Sequence, residues 1–183
     1  MNKQIKNKIL KLSPNKQLLF GISCVKRMEA NLLNYLISNG EILSSSFVSK
    51  LIEKVYNSTL NKFNQINETI NASDIELIEQ LIPDTDIDGG SDEVVLAQNA
   101  AIALAYCIDF IKDNNADFIT YCSLKVIETV DVLSLENSDA QISEELAIQG
   151  RLIDIINDMV ENNFDVNFDK LELLIAQTSI VKI

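Results

Sequence analysis

The sequence has no histidine and no tryptophan, and its 183 residues include only 5 glycines, 2 prolines and 3 cysteines. Without histidine the chain can form neither a Ser-His nor a Cys-His nucleophile pair, and no zinc site that uses imidazole. The low glycine and proline content also excludes a collagen-like or low-complexity chain. Many common kinds of enzyme active site are therefore excluded.

The three cysteines, Cys24, Cys107 and Cys122, are widely spaced and lie among apolar neighbours. An odd, scattered set is not the disulfide framework of a small secreted protein, so we expect reduced thiols in the core. Lysines interrupt the segment after the basic first residues, so no signal-peptide pattern forms. The longest apolar run, near residues 100–108, is shorter than the about 20 residues that span a membrane. We expect a cytoplasmic protein without membrane contact.

The side chains that are present favour one compact domain. Hydrophobic residues make up 47% of the chain, and 27 acidic against 15 basic residues give a net charge of −12. A chain of this length buries about two-thirds of the surface that its unfolded form exposes, so its core needs neither disulfide nor metal. We therefore expect residues 1–183 to form a single domain with no cofactor.

Apolar residues recur at helical spacing almost from end to end, and alternating strand patterns are absent. The pattern predicts helices at 14–39, 46–60, 73–82, 93–112, 116–135, 139–162 and 167–177. The 93–112 segment is apolar on nearly every side and is the predicted central helix. Gly150, inside the 139–162 helix, costs about 1 kcal/mol against alanine and therefore predicts a close helix contact. The predicted fold is all-α, a single up-and-down bundle of six to seven helices.

The charges are divided unevenly along the chain. Residues 1–62 hold 10 Lys/Arg and 3 acids, a sum of +7, whereas residues 63–183 hold 5 and 24, a sum of −19. We expect the amino-terminal helices to pack across the acidic ones, so that the charges neutralise locally. A basic patch for nucleic acid is the alternative. It is disfavoured because the lysines lack interleaved aromatics and the whole chain repels phosphate.

A series of short motifs runs along nearly the whole chain. It comprises Leu12-Ser13-Pro14, Gln17, Phe20, Cys24-Val25-Lys26-Arg27-Met28, Asn31, Ile82-Pro83 before the apolar segment 100–105, Glu145, Gln149 and Thr178-Ser179-Ile180. In order and spacing these motifs resemble the bacterial YjaG-like family, domain of unknown function family 416. The chain has Ala30-Asn31-Leu32 where that family typically has Pro-Asn-Tyr. The resemblance implies an all-α, up-and-down, self-associating bacterial protein, and it implies no activity.

Arg27 and Asn31 are the candidate binding residues. Arg27 lies close to the apolar stripe of the first predicted helix, beside Cys24 and Met28. A guanidinium there must find carboxylates or carbonyls. It forms either an internal ion pair with a carboxylate of a later helix, or an anion or partner site shared with Asn31. Cys24 is not expected to be a nucleophile, because it has no histidine base and apolar surroundings raise the pKa of a thiol.

The acidic loop at residues 84–92 begins like a calcium loop, with aspartates at positions 1, 3 and 5 and a glycine at position 6. However, Ser91 and Val95 stand where such a loop needs an apolar anchor and a bidentate glutamate. We therefore predict no specific calcium site and no metal. An acidic loop that favours the positive end of the following helix explains the same residues.

Two carboxylate pairs, Glu76 with Glu79 and Glu128 with Asp131, have the i, i+3 spacing by which all-helical nucleotide pyrophosphohydrolases hold magnesium. Neither pair interrupts an apolar stripe, so a solvated acidic face explains them better.

We expect the protein to act by binding an unidentified protein partner and by homodimerisation, since it has more apolar stripes than one central helix can cover. A metal-dependent phosphohydrolase that uses these pairs is the alternative.

Overall fold

The described part of the chain folds into α-helices. The computed structural model describes residues 2–61, 70–87, 89–134, 138–159 and 166–181. Within these ranges there are eight helices and no strand: α1 (Lys3–Ile9), α2 (Pro14–Ser38), α3 (Ile42–Asn61), α4 (Ala72–Gln80), α5 (Asp92–Asp113), α6 (Ala116–Leu133), α7 (Ser138–Asp158) and α8 (Val166–Gln177). The predicted all-α class is confirmed.

All seven segments predicted to be helical contain a helix, and α1 is the addition that exceeds the predicted count of six to seven. This helix buries Ile5 and Ile9, one turn apart, and the backbone N–H of Gln4 donates to Asn2 Oδ1 at 2.8 Å. Two apolar residues are too few to establish a period, which is why the sequence pattern missed it. The end of the predicted 139–162 helix lies partly outside the described residues.

The helix with the most neighbours is α2, which packs against α3, α5, α6, α7 and α8. Every residue from 17 to 25 is buried, so this part of α2 is enclosed on all sides. The predicted central helix corresponds to α5, whose main contacts are α2, α4 and α6. Assigning the centre to it was wrong, because α2 buries polar residues that a hydrophobic pattern assigns to an outer face.

Among the described residues, α5 is the one helix long and apolar enough to cross a membrane. However, 67% of its apolar stretch is buried in the fold. A helix buried in a protein core can have the same length and composition, since it is apolar on most of its sides.

The basic amino-terminal segment is paired with acidic helices. Lys6 Nζ lies 2.9 Å from an Asp117 carboxylate oxygen on α6, and Lys8 Nζ lies 2.7 Å from one of Asp154 on α7. These contacts agree with the expected local neutralisation of the two charge blocks. Each pair is partly exposed, so its contribution to stability is at most about 1 kcal/mol.

Among the described glycines, Gly21 has the closest surroundings, at the point where α2 meets α5 and α6. A Cβ atom at this position would lie 2.8 Å from Ile119 Cδ1 and 3.1 Å from Cys107 Sγ. The close contact predicted at Gly150 is absent, since the nearest atom to a Cβ there is Lys8 Nζ at 4.0 Å. That prediction was wrong because Gly150 lies under a flexible lysine of α1 rather than against a helix backbone.

Alanine substitutions at the two glycines should have opposite effects. We expect Gly21→Ala to lower the free energy of unfolding by about 1 kcal/mol, because overpacking costs about 1–3 kcal/mol and helix propensity returns about 1 kcal/mol. The matched control Gly150→Ala should raise it by up to about 1 kcal/mol. Urea unfolding followed by circular dichroism measures both. Equal stabilisation by the two substitutions would contradict the close packing at Gly21.

Candidate functional site

A buried ion pair joins α2 to α7. The Arg27 and Glu145 side chains are 1% and 2% exposed, and both guanidinium Nη atoms donate to the carboxylate. Nη1 donates to Oε1 at 2.7 Å and Nη2 donates to Oε2 at 2.6 Å. Such a bidentate pair loses the hydration of two ions, so its short, charge-assisted hydrogen bonds must offset that cost.

Two further buried side chains hold the carboxylate in place. Gln149 Nε2 donates to Glu145 Oε1 at 3.0 Å and to the main-chain oxygen of Ser123 at 3.2 Å. In return, Ser123 Oγ donates to Gln149 Oε1 at 2.6 Å. Glu145 and Gln149 share one face of α7 because they are four residues apart. The network therefore extends from α2 through α7 to α6.

The same arginine also contacts residues 178–181, the segment after α8, which we name the strap. Arg27 Nε donates to the Thr178 main-chain oxygen at 3.0 Å, and the Ile180 N–H donates to the Arg27 main-chain oxygen at 2.7 Å. One turn further along α2, Asn31 Nδ2 donates to the Ile180 main-chain oxygen at 2.8 Å. We name the five residues of this network the clasp: Arg27, Asn31, Ser123, Glu145 and Gln149.

The structure therefore brings the two candidate binding residues, Arg27 and Asn31, together on one face of α2. Of the two interpretations left open for Arg27, the internal ion pair with a later helix is present. All three guanidinium nitrogens donate to groups of the chain itself. The face that Arg27 shares with Asn31 is covered by the strap.

The sequence pattern did not single out Glu145 or Gln149 as site residues. A signal for them was nevertheless present, because both lie in line with the buried residues Leu152, Ile153 and Ile156 of α7. A carboxylate on the apolar stripe of an amphipathic helix must have a buried partner, since an unpaired buried charge is very costly. That spacing would have indicated a partner for Arg27.

The three cysteines are free and buried, as expected. Cys107 Sγ and Cys122 Sγ are 3.7 Å apart, and Cys122 Sγ donates to the Ala103 main-chain oxygen at 3.3 Å. Burial raises the pKa of the Cys24 thiol, although the nearby Arg27 charge opposes the shift. Burial, with the Cys107 contact, also raises the pKa of Cys122. Because a nucleophilic cysteine needs its thiolate form, these groups are poorly suited to catalysis.

The predicted carboxylate pairs lie on different helices. Glu76 and Glu79 are exposed on α4, whereas Glu128 on α6 accepts a hydrogen bond from Lys125 Nζ at 2.6 Å. No group of three or more His, Cys, Asp or Glu in the described ranges could hold a metal ion. In the acidic loop, Asp86 N–H donates to Asp84 Oδ1 at 2.9 Å, and position 88 lies outside the described residues. The absence of a specific calcium site stays a prediction.

Removing the arginine should destabilise the protein far more than removing an exposed lysine. We expect Arg27→Met to lower the free energy of unfolding by about 3–5 kcal/mol, because Glu145 would stay buried without its cation. The control Lys8→Met, which breaks the exposed pair with Asp154, should cost at most about 1 kcal/mol.

The double variant Arg27→Met/Glu145→Met tests the cause of that loss. It should recover a large part of the stability, because apolar residues often replace a buried ion pair at little cost. Urea unfolding of wild type, the two single variants and the double variant gives the four free energies of unfolding to compare. A double variant as unstable as Arg27→Met would mean that the uncompensated Glu145 charge is not the cause.

The thiols should be unreactive until the protein unfolds. At pH 8 we expect negligible modification of native protein by a thiol-reactive disulfide reagent, because burial blocks access and the raised pKa of Cys24 and Cys122 reduces their thiolate fraction. In urea all three cysteines should react. Absorbance of the released thiol counts them, and rapid reaction of one cysteine in the native protein would contradict this burial.

Comparison with known proteins relates the chain to a protein family. Among curated proteins and among solved structures, none matches the chain significantly. A family model described as "Protein of unknown function (DUF416)" matches residues 4–180, a range that contains the whole clasp and most of the strap. The narrower YjaG-like label stays a prediction. The chain therefore belongs to the DUF416 family of proteins of unknown function.

Proposed function

We propose that the protein acts by binding other proteins and that it works as a homodimer in the bacterial cytoplasm. The observation that carries the homodimer is an exposed aliphatic surface at residues 37–43, where α2 turns into α3, which we name the α2–α3 corner. Ile37, Ile42 and Leu43 are 53%, 67% and 87% exposed. They flank Gly40, whose φ of 80° allows the tight turn.

The distribution of charge supports a second copy as the occupant of this corner. The net charge of −12 makes two copies repel each other over most of their surface. Residues 30–49, in contrast, include a single charged side chain, Glu41. A surface that combines exposed aliphatic residues with few charges resembles the centre of a protein interface. Two copies can approach there with little electrostatic cost.

A two-fold dimer would place the same corner of both copies against each other. Three exposed neutral residues close in sequence, Asn34, Ser38 and Ser46, would form the polar rim. Behind the corner, the buried Leu36 and Val48 anchor α2 and α3 to the core. The surface is therefore presented on a fixed backbone, which lowers the entropy cost of association.

The arrangement of the helices within each copy is a further part of the proposal. We infer that α5, α6 and α7 follow an up-and-down order. Between α5 and α6, Cys107 contacts Cys122 whereas Asn99 accepts from Lys125. Between α6 and α7, Ser123 contacts Gln149 whereas Ser134 contacts Gln141. Between α2 and α3, Lys26 pairs with Glu53 whereas Glu29 accepts from Ser49. In each of these pairs, residue numbers rise along one helix while the numbers of their partners fall along the other. This is the pattern of antiparallel helices.

The cytoplasmic location is supported by the free thiols. Three reduced, buried cysteines are typical of proteins that fold under reducing conditions.

Analytical sedimentation at micromolar concentration tests the dimer. We expect wild-type protein to sediment as a dimer at both low and high salt, because the contact depends on apolar burial rather than on charge. Leu43→Lys should sediment as a monomer, since it replaces the most exposed aliphatic side chain of the corner with an ammonium group that loses its hydration in the interface. A wild-type monomer at both salt concentrations would refute the proposal.

The matched control is Ile87→Lys, which changes the net charge equally at another exposed aliphatic residue, 80% exposed in the loop between α4 and α5. It should remain a dimer. If both lysine variants dissociate, the change of net charge rather than the α2–α3 corner controls association. If neither does, the interface lies elsewhere.

A further inference from the structure

The contacts between α2 and the strap are made chiefly through the main chain of the strap. Two side-chain donors, Arg27 Nε and Asn31 Nδ2, bind the carbonyl oxygens of Thr178 and Ile180. Between them, the Arg27 main-chain oxygen accepts from the Ile180 N–H. The α2 groups therefore match the succession C=O, N–H, C=O along residues 178–180. Every residue except proline offers these groups, so this part of the contact does not depend on the side chains of the strap.

The α2 side of this contact is held in place by groups other than the strap. The two Nη atoms of Arg27 are bound by Glu145, which accepts from Gln149, which in turn contacts Ser123. The bidentate contact fixes the plane of the guanidinium, and with it the direction of Nε, through groups that do not belong to the strap. Asn31 lies one turn further along the same buried helix. A site with its donors already oriented loses little entropy when it binds a segment.

The strap side of the contact contributes one apolar anchor. Ile180 packs against the hydrophobic core, whereas Ser179 is exposed. Ser179 Oγ makes only a long contact of 3.5 Å with the Arg27 main-chain oxygen, and Thr178 Oγ1 donates to Leu174 O within its own helical end. Recognition therefore depends on the main chain and on one aliphatic side chain. These are the features by which extended peptides are recognised in general.

We propose that Arg27 and Asn31 line a peptide-binding groove that the strap occupies in cis. The ligand in trans is an extended segment of a partner protein with an aliphatic side chain at the position that Ile180 takes. This inference rests on the proposed function, that the protein acts by binding other proteins, and it concerns a surface separate from the α2–α3 corner. The strap competes with the ligand for the groove. The apparent affinity of the ligand is therefore its affinity for the open groove multiplied by the fraction of molecules in which the groove is open.

The test uses the full chain with a weakened strap and a synthetic peptide of residues 176–183, labelled for fluorescence anisotropy. Ile180→Pro removes the N–H that donates to Arg27 and opens the groove without shortening the protein. We expect the peptide to bind this variant at least about tenfold more tightly than it binds wild type, because the weakened strap occupies the groove in a smaller fraction of the molecules. Absence of binding to a folded Ile180→Pro protein would overturn the proposal.

Changes in the peptide identify the mode of recognition without altering the protein fold. N-methylation at the Ile180 position, which removes the N–H donor, should weaken binding at least about tenfold, and alanine in place of that isoleucine should weaken it as well. The control peptide with alanine in place of Ser179 should bind as tightly as the parent. Equal affinity of the N-methylated and parent peptides would overturn main-chain recognition by Arg27.

A second measurement covers the case in which Ile180→Pro does not fold. Excess peptide added to wild-type protein should speed hydrogen exchange of the Ile180 amide, because the strap is displaced from Arg27. Unchanged exchange at saturating peptide would overturn the proposal.

The anisotropy experiment repeated with Ile180→Pro/Leu43→Lys separates the two proposals. We expect unchanged peptide affinity there, and a loss of binding would place the peptide at the α2–α3 corner instead.

Discussion

The bidentate ion pair between Arg27 and Glu145 is the interaction on which the rest of the site depends. Both charges are removed from water, so the pair contributes little net stability compared with two well-packed apolar residues. Its main contribution is geometric. The carboxylate fixes the plane of the guanidinium, which directs Nε toward the strap, and Gln149 with Ser123 fixes the carboxylate. One pair of charges thereby links α2, α6, α7 and the segment after α8.

The burial of polar residues inside α2 explains why this helix, rather than the more apolar α5, has the most neighbours. Ser23, Arg27 and Asn31 are buried because each has a hydrogen-bond partner, so the helix can be surrounded on all sides. Gly21 adds to this, since its missing side chain lets α5 and α6 approach the α2 backbone. Close packing on one side and paired polar groups on another make α2 the axis of the fold.

The two proposed binding surfaces depend on different physical effects. The α2–α3 corner offers exposed aliphatic side chains in a region with almost no charge, so association there would be driven by burial of apolar surface. The groove on α2 offers oriented donors and one acceptor, so binding there would be directed by main-chain hydrogen bonds. The clasp and residues 178–180 of the strap lie within the stretch that matches the family model, whose description assigns no function.

The sequence by itself determined the helical class and the approximate position of seven helices, because the apolar period is a local property of the chain. It also indicated that Arg27 needs a partner, since a guanidinium beside an apolar stripe cannot remain unpaired. The tertiary structure alone decided that Glu145 is this partner, that Asn31 binds the strap, and that Gly21 rather than Gly150 permits the close approach. Those outcomes depend on which helices meet. The apolar period of one helix shows which of its residues are buried, but it does not show which distant residue each of them contacts.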